Sequence, residues 1–144
     1  AVLEETINYF KSRGPQFERC DIKAEYREVP LIPLNAELMS WVFENLFKNG
    51  MDAIGRKAGT IEIHLGTVID KNAVRITFQD NGRGIEPEHI NRVFEPGYST
   101  KKRGWGLGLA FVKRIVEEYH KGKISIAQSV PGEGTTFEII LPVA

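Results

Sequence analysis

The sequence predicts an α/β (α+β) two-layer sandwich, one mixed sheet with helices packed on one face. Three observations predict it. Two neighbouring stretches alternate at the period of a strand: Ile61, Ile63 and Leu65 against Glu62 and His64, then Val74, Ile76 and Phe78 against Arg75, Thr77 and Gln79. Two others repeat at helical spacing, Leu38, Val42 and Leu46 in one, Leu109, Val112, Ile115, Val116 and Tyr119 in the other. The order that results, β-α-ββ-α-α-ββ after an opening helix, suits a single sheet covered on one side.

Val2 to Arg13 reads as a helix stopped by Gly14-Pro15, the tail of a longer upstream helix or linker over residues 1–15, with one domain over 16–144. Asp21 to Val29 reads as a strand with Ile22, Ala24 and Tyr26 on one face. Asn35 is placed to cap a helix that runs to about Ile54 and stops at Gly55. Asp70-Lys71-Asn72 turns between the two alternating strands, making them an antiparallel hairpin. Pro87 to Val93 reads as a short helix that opens on a tolerated proline. The second amphipathic helix ends where Gly122 suits the C′ position, and strands over Lys123–Gln128 and Thr135–Leu141 flank the turn Pro131-Gly132-Glu133-Gly134.

Acidic and basic residues balance, 19 against 19, which gives no electrostatic footprint for nucleic acid or a membrane surface. A single cysteine, Cys20, excludes an internal disulfide framework and fits a reducing, cytoplasmic compartment. No apolar run is long enough to span a bilayer.

The stretch from Asp80 to Leu109 concentrates groups that suit a nucleotide. Asp80 ends a strand, and an ionised carboxylate accepts hydrogen bonds from an amino group while repelling a carbonyl oxygen. Gly82 and Gly84 follow it, then Ile85; glycines admit close backbone approach. The triplet Lys101, Lys102, Arg103 supplies charge that a triphosphate neutralises. Gly104, Gly106 and Gly108, interleaved with Leu107 and Leu109, lead into a helix whose first N–H groups and dipole favour phosphate. Neither a Rossmann fingerprint nor a Walker A sequence is present: Leu109 stands where the third Rossmann glycine belongs. Asn45 and Asn49, four apart, share one helix face and put two amides where a buried helix prefers apolar groups. Read singly, each feature has a plainer explanation: Asn side chains bridging backbone, an Asp-Asn-Gly turn, a solvated charge run.

Taken together and in order, these residues resemble the catalytic, ATP-binding domain of sensor histidine kinases, of the GHKL superfamily. Asn45-Leu46-Phe47-Lys48-Asn49 is similar to its N box and Asp80-x-Gly82-x-Gly84 to its G1 box. Phe94-Glu95-Pro96 resembles its F box, Gly104-x-Gly106-x-Gly108-Leu109 its G2 box, and Gly134-Thr135-Thr136-Phe137 its final threonine-bearing box. The likeness covers Leu34 to Leu141 and implies a Bergerat fold that binds ATP with Mg²⁺ and passes the γ-phosphoryl group to a histidine. By position, Asn49, with Asn45 beside it, would hold the metal. Asp80 would bind the adenine amino group, with Gly84 and Thr136 helping to complete the base pocket; Thr135 is expected among the nucleotide-binding residues. The backbone at Gly106 to Leu109 would hold phosphates. Tyr98 and the basic triplet lie in the intervening loop, 94–105, expected to order as a lid over triphosphate. The resemblance further implies a phosphoacceptor and dimerisation domain in the same parent, a response regulator downstream, a monomeric isolated domain, and a parent compatible with a membrane anchor.

The chain departs from the family pattern in places. Gly50 follows the second Asn where Ala is commoner, Asp52 stands where a basic residue is frequent, and Gly97 follows Pro96 where a bulky aromatic is usual. None of His64, His89 and His120 is followed by an acidic residue, as the family's acceptor histidine typically is, so all read as structural or solvated and the acceptor is expected outside this chain. Two alternatives stand beside this reading. One is a hydrolytic ATPase or serine-directed kinase of the same superfamily, for which Glu44, next to Asn45, is the nearest candidate base. The other is a nucleotide-binding module without transfer activity.

Overall fold

The structure, a computed structural model, describes residues 20–27, 32–55, 59–68, 72–96 and 108–143. The expected opening helix, Tyr98, the basic triplet and the stretch from Gly104 to Leu107 lie outside these residues, and so does the expected lid apart from its first residues.

Strands β1 (Cys20–Tyr26), β2 (Gly59–Val68), β3 (Ala73–Asp80), β4 (Lys123–Val130) and β5 (Gly134–Pro142) form one sheet in the order β1-β2-β3-β5-β4. β1 pairs parallel with β2 and the remaining pairs are antiparallel, so the sheet is mixed as expected. Alternation sets its two faces. Ile61 and Ile63 of β2, Val74, Ile76 and Phe78 of β3, and Phe137, Ile139 and Leu141 of β5 are buried, and their neighbours point the other way.

Two helical elements cover that inner face. Helix α1 (Ala36–Ile54) starts at Asn35, whose Oδ1 accepts from the Leu38 N–H at 3.0 Å, and stops at Gly55, which takes φ 70°. It buries Met39, Val42, Phe43, Leu46, Phe47 and Ile54. Phe43 and Phe47 both meet Phe78 of β3, with ring centroids 5.8 and 5.5 Å apart. Helix α2 (Gly108–Arg114) continues without a break into a π turn, Ile115–Tyr119, and buries Val112, Ile115 and Val116.

Some local expectations shift. Pro87 to Val93 makes turns and a 3₁₀ segment, Ile90–Arg92, in place of a helix. Ala24 and Tyr26 share a strand face with Ile22, but only Ile22 of the three is buried, because β1 lies at the sheet edge. Tyr119, expected in the apolar stripe, is 61% exposed, while the next residue, His120, is buried at 8%. The wider i→i+5 turn passes the inward position from one to the other. The left-handed residue after this helix is Lys121 at φ 57° rather than Gly122. Gly122 is needed for space instead: a Cβ there would strike the Ile140 carbonyl of β5 and stand 2.9 Å from Leu141 Cδ2.

Candidate nucleotide site

The inward faces of β3 and β5 are apolar until their last register pair, Asp80 opposite Thr135. Both are buried, at 7% and 4% exposure. Asp80 Oδ1 accepts from the Gly82 N–H at 2.9 Å, which leaves a carboxylate with further lone pairs for a ligand donor. Burial raises the Asp80 pKa above the ordinary 3.8, while the Gly82 and Thr135 backbone N–H groups and the Arg83 charge pull the other way and do not cancel it. Thr136 pairs with Gln79 and faces the opposite side of the sheet, so Thr135 alone of the two threonines shares the face of Asp80.

The turn after Asp80 is wedged between α1 and the β4–β5 hairpin. The Arg83 N–H donates to the Ala53 carbonyl at 3.0 Å, and a Cβ on Gly82 would lie 2.5 Å from the Ala53 backbone. Gly84, at φ 73°, sits against the Val130 carbonyl. The Gly132 N–H donates to the Arg83 carbonyl at 2.7 Å, and the Ile85 N–H donates to Ser129 Oγ at 2.8 Å. Ser129 Oγ in turn lies 2.8 Å from Thr135 Oγ1. Gly134, at φ 136°, presses on the Asp80 carbonyl. Gly82, Gly84 and Gly134 are therefore required by contact between backbones.

From the helical layer, α1 presents its last turns to the same region. Gly50 is buried beneath Asp80: a Cβ there would stand 3.5 Å from Asp80 Cβ. Asn45 and Asn49, both half-buried, precede it on neighbouring turns. Asn45 Nδ2 donates to the Trp41 carbonyl at 2.8 Å, which fixes the amide and turns Oδ1 toward Gly108 at the start of α2, where a Cβ would be 3.0 Å away. The N-box-like and G2-like segments thus meet at Asn45 and Gly108. Leu109 follows, partly buried against the core. An oriented amide oxygen fits Mg²⁺, which takes one or two protein oxygens and completes its shell with water and phosphate. Among the described residues no group of three His, Cys, Asp or Glu converges.

Phe94 packs edge-on to Phe137 of β5, centroids 6.2 Å apart, with Lys113 Nζ 5.8 Å from its ring centre. This anchors the F-box-like segment to the sheet and to α2. Two further residues belong to this architecture: Ser129, which no motif singles out, and His120, one of the histidines expected to be structural or solvated. Ser129 links Ile85 to Thr135. His120 ties the helices together at their far end: its Nε2 accepts from the Asn35 N–H at 2.9 Å, and its Nδ1–H donates to the Ile115 carbonyl at 2.9 Å. Those two bonds select the neutral Nδ1–H tautomer.

Comparison with known proteins agrees with this geometry. Residues 35–144 match the sequence model of a family described as histidine kinase-, DNA gyrase B- and HSP90-like ATPases. The signal transduction histidine-protein kinase AtoS of Escherichia coli K12 is 38% identical over 145 residues, 99% of this chain and 23% of its own length. The sensor histidine kinase ZraS of Salmonella typhimurium is 40% identical over 115 residues, 78% of this chain and 23% of its own length. The chain therefore spans about a quarter of these relatives. Among solved structures, the nucleotide-free catalytic domain of histidine kinase ThkA superposes with a TM-score of 0.83 at 26% identity, over 98% of this chain and 90% of that one. The mixed sheet with its helices on one face is thus the Bergerat fold of histidine-kinase catalytic domains. No described helix is long and apolar enough to cross a membrane.

Proposed function

Since the chain belongs to the histidine kinase-, DNA gyrase B- and HSP90-like ATPase family, we propose that it binds Mg-ATP and passes the γ-phosphoryl group to a histidine on a separate dimerisation and phosphoacceptor domain of its parent protein. The observation that supports this reading best is Asp80, buried at the end of the sheet opposite Thr135 with Gly50 of α1 beneath it. On the same helix Asn45 turns an amide oxygen toward Gly108 at the start of α2. Asp80 accepts the adenine amino donor, Gly82 and Gly84 let the turn that carries it pack against α1 and the β4–β5 hairpin, and Asn45 and Asn49 offer oxygens to the metal. Mg²⁺ supplies charge neutralisation on the transferring phosphoryl group. The chain itself positions: the acceptor imidazole forms the new P–N bond, the bond from Pγ to the bridging oxygen breaks, and ADP leaves with its electron pair. The phosphohistidine would then serve a response regulator, in the cytoplasm.

A hydrolytic ATPase needs a base near the γ-phosphate. Asn45 holds its amide toward the Trp41 carbonyl and Gly108, and an amide takes no proton. Glu44 is its neighbour, displaced by about 100° around the helix. The test is γ-labelled ATP with Mg²⁺ and a phosphoacceptor domain supplied in trans. Acid-labile label on the added domain, and none on this chain, is the expected result. Steady ATP hydrolysis that Glu44→Gln abolishes would establish the alternative, and binding with neither transfer nor hydrolysis would leave a nucleotide-binding module.

A further inference from the structure

The register carries a row of side chains across the whole sheet: Ile22, Ile61, Asp80, Thr135 and Ser129, on β1, β2, β3, β5 and β4 in turn. Its apolar end is core and its polar end is the site proposed for the base. We propose that Ser129 is a specificity-determining residue of that pocket, acting through Thr135 to direct a proton at the bound base; this rests on the reading of the site as one for ATP.

Ser129 Oγ already accepts from the Ile85 N–H at 2.8 Å and has one proton to give. Thr135 Oγ1 lies at 2.8 Å, and the Gly134 carbonyl lies at 3.4 Å, at the edge of bonding distance. Donation to Thr135 is the shorter bond, and it turns the proton of Thr135 away from Ser129 and toward the pocket. The opposite run, Thr135 to Ser129 to Gly134, ends on the long bond. The pocket edge therefore presents an acceptor, ionised Asp80, beside a donor, Thr135. A purine with an amino group next to an unprotonated ring nitrogen matches both. A purine with a carbonyl next to a ring N–H opposes both, placing an acceptor against the carboxylate and a donor against the hydroxyl proton. Without Ser129 the Thr135 hydroxyl turns freely and offers a lone pair to that N–H, so discrimination relaxes.

The test measures dissociation constants of Mg-ATP and Mg-ITP, inosine triphosphate carrying the carbonyl and ring N–H. The proteins are the unchanged chain, Ser129→Ala, Ser129→Thr, Thr135→Val and the Ser129→Ala/Thr135→Val double variant, each with its melting temperature. Ser129→Ala is expected to lower the preference for ATP over ITP by about tenfold, one hydrogen bond's worth. Ser129→Thr should restore the preference, and in the Thr135→Val background Ser129→Ala should leave the ratio unchanged. Should the alanine variant fold poorly, Ser129→Cys keeps the volume with a weak donor and is expected to shift the ratio in the same direction. An unchanged ratio in the folded Ser129 variant overturns the proposal, and so does equal weakening of both nucleotides, which marks a scaffold role alone. Failure of the unchanged chain to bind ATP would instead strike the reading of the site beneath it.

Discussion

Asp80 and Thr135 face each other across β3 and β5 as the one polar register pair on inward faces that are otherwise apolar, with Val74, Ile76 and Phe78 behind one and Phe137, Ile139 and Leu141 behind the other. The carboxylate is held where desolvation works against its charge. A carboxylate held against desolvation in this way fits the ligand role proposed for it.

Asp80→Asn should weaken ATP binding by about ten- to a hundredfold, since a hydrogen bond to a charged acceptor is worth about 1.5–3 kcal/mol. It should also stabilise the free protein at neutral pH. The native pKa lies above the ordinary 3.8, so the folded state binds the proton more tightly than the unfolded one. Stability from this group is present in acid and is lost as pH rises through the native pKa. The melting temperature of the variant should therefore exceed that of the unchanged protein at neutral pH, and the two should converge on acidification. A gap that does not change with pH would show that Asp80 carries no such cost.

Asn49→Ala should reduce phosphoryl transfer far more than it reduces nucleotide affinity, because the metal acts on the transferring group while the base contacts supply much of the binding. A Mg²⁺ titration of transfer rate checks this. An unchanged Mg²⁺ dependence in the variant would remove Asn49 from the metal's ligands.

Gly82→Ala and Gly50→Ala should move stability in opposite directions. At Gly82 the new methyl meets the Ala53 backbone at 2.5 Å, and α1 must back away, a cost of about 1–3 kcal/mol. At Gly50 it meets Ile61 Cδ1 at 3.0 Å, the movable end of a side chain, and the helix gains up to about 1 kcal/mol of propensity. Denaturant unfolding of both variants distinguishes the cases; destabilisation by Gly50→Ala would mean that Ile61 cannot yield.

His120→Ala should destabilise the domain by about 1–3 kcal/mol, because it strands the Asn35 N–H and removes the ring that joins α1 to the π turn. Its preference between ATP and ITP should stay as it was, since the clasp lies at the far end of the helices. Thermal unfolding read beside nucleotide selectivity separates this role from that of Ser129.

Much of this architecture was legible because burial repeats at the period of each element. The alternation in β2 and β3 and the cap at Asn35 gave the mixed sheet and α1. The same parity held the answer to the threonine question: Thr135 is in phase with Phe137, Ile139 and Leu141, and Thr136 is not. Ser129 was hidden for a physical reason. Ile124 and Ile126 pair with inward residues of β5, but the register shifts between Ile126 and Gln128, so an odd-numbered residue turns inward after two even ones. His120 was expected to be structural or solvated, but its partner was not legible, because Asn35 lies 85 residues away and no local pattern reports a bond at that separation.

The strand order places β5, the last of the five in the chain, between β3 and β4. During synthesis the Asp80 side of the pocket leaves the ribosome with an open sheet edge, and Thr135 arrives only with the strand that closes it. In the proposed site, nucleotide recognition and completion of the sheet would be one event: a nascent chain without β5 lacks Thr135, and ATP, by binding only after β5 is seated, would draw the newly made domain toward its finished state.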